Sequence, residues 1–98
     1  MMPKSNVGLQ ILPFSKDKDT YALVDKAIEA IQKSGVKYEV DALETVLEGE
    51  LDDLLEVVKQ TIYATVEAGA EEVAAEVKIH FRPQGTSIKE KVGKYRKS

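Results

Sequence analysis

The 98-residue chain predicts an α+β domain in which two helices cover one face of a four-stranded antiparallel sheet. Three observations carry this. Apolar residues alternate in four short runs, the period of a strand; two longer segments place them three and four residues apart, the period of a helix; and the two patterns follow one another as β-α-β-β-α-β. That order is the ferredoxin-like split βαβ arrangement, with expected spatial strand order 4-1-3-2 and a short additional helix at the C-terminus. Residues 1–98 read as one domain, because no Pro/Gly/Ser-rich stretch divides them.

Strand 1 is carried by Val7, Leu9 and Ile11 alternating with Gly8, Gln10 and Leu12, and Pro13 is expected to stop it. Asp17 or Asp19 can cap helix 1, where Tyr21, Val24, Ile28 and Ile31 form an apolar stripe widened by Leu23, Ala27 and Ala30. Gly35 suits the left-handed position beyond the helix end. Val36, Tyr38 and Val40 define strand 2, Asp41 and Ala42 a turn, and Leu43 to Glu48 strand 3. Leu43, Thr45 and Leu47 are assigned to the helix side because two of the three are apolar. A one-residue slip would reverse that facing. Gly49 closes the strand. Helix 2 follows with Asp52 and Asp53 in its first turn, a buried stripe of Leu51, Leu54, Leu55, Val58, Ile62 and Val66, and Gly69 at its end. In strand 4, Val73, Ala75, Val77, Ile79 and Phe81 oppose Ala74, Glu76, Lys78, His80 and Arg82. Ile88, Val92 and Tyr95 are spaced for the short terminal helix.

Composition narrows the function classes. Without cysteine there is no disulfide framework, thiolate metal site or cysteine nucleophile. No basic segment followed by an apolar run suggests a secretory signal, and no apolar run approaches the roughly 20 residues that span a bilayer, so a cytoplasmic location and no membrane partner are expected. The net charge of −3 is uneven: Lys89, Lys91, Lys94, Arg96 and Lys97 against Glu90 give the tail +4 and leave −7 for the body. An acidic body without an aromatic ladder on a strand argues against nucleic acid as a partner.

The polar residues expected on the open sheet face are Gln10, Glu44, Glu48, Glu76, Lys78 and His80. His80 is the single histidine and makes no metal site alone. Glu44 and Glu48 lack a nucleophile, metal or phosphate loop beside them, so no reaction is defined and no enzyme is expected. Lys16 and Lys18 are the only bases between strand 1 and helix 1, where a phosphatase of this fold carries an arginine loop. Val46, Leu12 and Ala74 share the open face with those polar groups, a mixed surface suited to an interface between copies.

Four segments, Leu9-Gln10-Ile11-Leu12-Pro13, Ser34-Gly35-Val36-Lys37-Tyr38-Glu39-Val40, Thr45-Val46-Leu47-Glu48-Gly49-Glu50-Leu51-Asp52 and Ile88-Lys89-Glu90-Lys91-Val92, together resemble the small single-domain members of the thiamine-binding YkoF-like family. The one departure is Glu50, where an aspartate is more typical and caps a helix better. The resemblance implies a homodimer or homotetramer that binds thiamine or its hydroxymethylpyrimidine portion without turnover and without a cofactor. Such a ligand, with a cationic thiazolium and an aminopyrimidine edge, asks for a carboxylate and hydrogen-bonding groups beside apolar walls. Glu48, Thr45, Gln10 and Tyr38 supply those types, and His80 completes the expected ligand-binding set. Glu48 is favoured because Gly49 beside it leaves room for a small ring to reach the backbone. The alternative is an interaction module that assembles through its open sheet face and takes no small molecule.

Overall fold

The computed structural model describes residues 4–96; Lys97, counted in the basic tail, lies outside them. Its elements are β1 (Ser5–Phe14), α1 (Thr20–Ser34), β2 (Lys37–Val40), β3 (Thr45–Gly49), α2 (Leu51–Glu67), β4 (Glu72–Phe81) and α3 (Ile88–Val92), the last continued by a 3-10 turn at Gly93–Tyr95. The sheet is antiparallel with order β2-β3-β1-β4, the arrangement expected of a ferredoxin-like α+β fold.

Cross-strand register sorts the two faces. Val7 stands between Leu47 and Ile79, and Leu9 between Thr45 and Val77. Directly opposed residues share a face, so this set points at the helices. Val7, Leu47, Leu54 and Ile31 are fully buried at its centre. Each contributes about 1.5–3 kcal/mol relative to an exposed side chain, which makes this layer the main source of stability. Thr45 and Leu47 therefore face the helices as expected. Leu43 does not: it precedes β3, and its side chain is exposed.

Pro13 does not stop β1. Arg82 donates its backbone N–H to the Lys4 carbonyl, so even-numbered β1 residues turn their polar groups toward β4 and odd-numbered ones toward β3. Pairing with β3 ends at Leu9, and the N–H that Pro13 lacks would point where no strand lies.

Asp19 caps α1 by accepting the Ala22 N–H at 3.3 Å, and Gly35 ends it at φ 83°. The buried line of α1 is Leu23, Ala27 and Ile31; Tyr21, expected in the stripe, is exposed. On α2 the core takes Leu54, Val57, Val58, Thr61 and Thr65. Leu55 and Val66 are exposed on its flank and Leu51 is half-buried, because a helix passing over a sheet buries a narrower arc than its apolar residues cover. The two threonines satisfy their hydroxyls within the helix, donating at 2.7 Å to the carbonyls of Val57 and Thr61.

The open face is not wholly uncovered. Ser87 caps α3 by accepting the Glu90 N–H, and the segment from Thr86 to Arg96 lies across the Asn6 end of the sheet. Thr86 and Ile88 are buried there. Val46, Leu12 and Ala74 remain accessible.

Candidate functional site

Unequal strand lengths create the main concavity. β1 has ten residues and β3 five, so Gln10 to Phe14 run on with β4 on one side only. α1 lies above this overhang and the Asp41–Glu44 connection beside it, enclosing a groove of about 740 Å³. Leu9, Ile11, Val24, Ala27 and Ile28 give it apolar walls. By the alternation of β1, the N–H and C=O of Ile11 point into the gap, and neither has a hydrogen-bond partner among the described residues. A ligand with adjacent donor and acceptor can complete both bonds there.

The rim is acidic. Asp41 and Glu44 line it, and Glu44 pairs with Lys78 across β1 at 3.2 Å. Gly8 makes that crossing possible: a Cβ on it would stand 2.5 Å from the Glu44 Oε1. Asp41 is held at 3.4 Å from Arg96.

Of the five residues expected from sequence, Gln10 and Thr45 line this groove and the other three do not. Tyr38 faces the helices opposite Leu47 and packs on the core. Glu48 lies at the other end of β3, opposite Asn6 and Lys37, where its Oε1 accepts the Ile88 N–H at 2.5 Å and its Oε2 pairs with Lys37 at 3.3 Å. His80 is exposed, across from Asn6. Sequence reasoning missed Ile11, Asp41 and the α1 wall; Pro13 inside an otherwise regular strand was the available sign of an unpaired edge.

A shallower cleft of about 510 Å³ between α1 and α2 is edged by Lys33, Asp53, Glu56 and Gln60. Its charges serve the helices. A hydrogen bond from Gln60, then one from Lys59, holds the Glu56 carboxyl below its ordinary range, and Lys33, with Lys26, does the same for Glu29. Among the described residues no group of three or more His, Asp or Glu side chains is placed to hold a metal, and no helix is long and apolar enough to cross a membrane.

The family model described as thiamine-binding protein matches residues 7–96. The chain belongs to this family. A Bacillus cereus domain named DUF77 superposes with a TM-score of 0.92 at 56% identity, covering 96% of this chain and 91% of that one. A Thermotoga maritima protein provisionally assigned to thiamine biosynthesis or salvage gives a TM-score of 0.86 at 34% identity, covering 96% and 100%. A UPF0045 protein of Clostridium perfringens is 50% identical over 95 residues, 97% of this chain and 100% of its own. The matched residues include the β1 stretch and the start of β3 that meet at the groove, through Gln10, Ile11 and Thr45.

Proposed function

We propose that the protein is a cytoplasmic, non-catalytic binder of thiamine or its hydroxymethylpyrimidine portion, and that the ligand lies in the groove beside β1. Family membership supports the ligand class. The observation that carries the location is the unpaired Ile11 backbone: its C=O can accept from the exocyclic amine of an aminopyrimidine while its N–H donates to the adjacent ring nitrogen. Leu9, Val24 and Ile28 then flank the ring, Gln10 and Thr45 stand beside it, and Glu44 with Asp41 offers negative charge to the thiazolium at the rim. Among the described residues the groove's hydroxyls (Thr20, Tyr21 and Thr45) have no histidine or lysine beside them to activate them, and its carboxylates, Glu44 and Asp41, are paired with Lys78 and Arg96, which supports binding without turnover.

Calorimetric titration with thiamine and with hydroxymethylpyrimidine tests this, together with the variant Val24→Trp, which fills the groove from its half-buried wall. Both ligands should bind the unmodified chain and be recovered unchanged, and Val24→Trp should abolish binding while its far-ultraviolet circular dichroism stays native. No heat with either ligand overturns the ligand. Full affinity in a folded Val24→Trp overturns the location.

A further inference from the structure

Glycine in a central strand packs nothing and weakens its pairing, so its place often marks the close approach of another group. Gly8 of β1, with β3 on one side and β4 on the other, is such a place. Lys78 stands opposite it on β4, and its side chain passes over Gly8 to the Glu44 carboxylate, where the ammonium lies 3.2 Å from each of the two oxygens. A methyl at position 8 would collide with that carboxylate.

As a clasp between strands the pair contributes little, because the Lys78 side chain is 79% exposed. Its consequence lies at the groove. Glu44 and Asp41 are the carboxylates that line it, and Lys78 occupies both oxygens of the first. Arg96 holds the second more loosely, at 3.4 Å, while its other terminal nitrogen is drawn to Glu39 at 2.8 Å. The connection that carries both acids is closed by its own backbone, with the Asp41 N–H donating to the Glu44 carbonyl at 2.9 Å. Removing Lys78 therefore changes the charge of the rim and leaves its shape.

We infer that Lys78 is an internal counter-ion which a cationic ligand must displace from Glu44, and that it sets how strongly the groove prefers a cation to a neutral ring. This deepens the binding reading above and rests on it. A thiazolium that reaches Glu44 exchanges one ion pair for another and gains only the difference between them. An uncharged pyrimidine leaves the pair in place. Because β4 tethers the ammonium beside Gly8, its competition is intramolecular and does not fade on dilution. Lys78 thus narrows the gap between the two ligands, so that the groove accepts both.

Calorimetric titration of the full chain with thiamine and with hydroxymethylpyrimidine tests this across Lys78→Gln, Glu44→Gln and the double variant, with Lys89→Gln as a control that removes an equal charge from α3. Lys78→Gln should tighten thiamine binding about two- to fivefold, the range that an exposed ion pair supplies, and leave hydroxymethylpyrimidine unchanged. In the Glu44→Gln background the same substitution should not tighten thiamine, since no carboxylate remains to compete for. Lys89→Gln should move neither ligand. Weaker or unchanged thiamine binding by Lys78→Gln overturns the inference. So does equal tightening with and without Glu44, or the same tightening by Lys89→Gln, because either is an effect of net charge alone. An unmodified chain that takes up neither ligand removes the binding reading and this inference with it, whereas thiamine that binds and ignores Lys78→Gln leaves that reading standing and removes only the role of Lys78.

Discussion

The carboxylate of Glu48 and the backbone N–H of Ile88, 40 positions apart in the chain, meet at 2.5 Å beneath the C-terminal segment. Lys37 neutralises the other oxygen of the same carboxylate at 3.3 Å. Lys91 then reaches Asn6 at 2.7 Å, and Arg96 reaches Glu39 at 2.8 Å. Acidic strand residues and a basic tail thus form a strap across one end of the open face, and Glu48 is its buried anchor.

Glu48→Ala should therefore act on the strap. It leaves the Ile88 N–H and the Lys37 ammonium without their acceptor, and a buried hydrogen bond to a charged group is worth roughly 1.5–3 kcal/mol. We expect a loss of about 2 kcal/mol in urea unfolding, with faster hydrogen exchange at Ile88. Thiamine affinity should change by less than about threefold, because Glu48 pairs with Asn6 while the groove begins at Leu9. Unchanged exchange at Ile88 would contradict the anchoring role.

The rim carboxylate predicts charge selectivity. Glu44→Gln keeps size and removes charge; because Lys78, itself 79% exposed, already offsets part of that charge, the effect is small, about three- to tenfold weaker thiamine binding. Hydroxymethylpyrimidine is neutral and should lose nothing. Equal losses for the two ligands in parallel titrations would remove Glu44 from the thiazolium end.

Thr61 offers a test of how α2 is packed. It is fully buried, and its hydroxyl donates only to the Val57 carbonyl in its own helix. Valine has nearly the same shape, and the carbonyl it leaves already takes part in the helical ladder. Thr61→Val should leave thermal stability within about 1 kcal/mol, whereas Leu54→Ala at the neighbouring core position should cost about 2–5 kcal/mol. A large loss from Thr61→Val would mean that the hydroxyl does more than satisfy itself.

These cases show what a sequence exposes and what it hides. Element order, the facing of Thr45 and Leu47, and the cap at Asp19, one of the two aspartates suited to it, follow from local periodicity and short-range hydrogen bonding, which nearby residues determine. Thr61 and Thr65 were invisible as core residues because an apolar pattern scores a residue by type, while a helix can silence a hydroxyl internally. Tyr21 was misplaced for the converse reason, lying at the rim of an apolar arc wider than the buried one. The groove depends on the difference in length between β1 and β3, and the Glu48 anchor on a turn after β4 that returns Ile88 to β3. Both are relations between distant segments, and no single window of sequence contains them. Gln10 and Thr45 line the groove because it lies along their strands, whereas Ile11 presents its backbone there, which a pattern of side-chain types does not register.

The start of α2 supplies the last prediction. Glu50 occupies the N-cap position with extended backbone, φ −79° and ψ 140°, yet its side chain makes no cap hydrogen bond. A glutamate is one methylene too long to fold back onto the first-turn amides, so a free N–H that a shorter residue would satisfy is left to water. Asp52 and Asp53 already place negative charge in the first turn, and an aspartate at 50 would add repulsion to its cap bond. Serine supplies the oxygen without the charge. Glu50→Ser should therefore stabilise the fold by about 0.5–1 kcal/mol in urea unfolding, with Glu50→Asp gaining less and Glu50→Ala gaining nothing. If serine and alanine prove equal, the first-turn amides of α2 are satisfied without a cap, and Glu50 is as good a residue there as any.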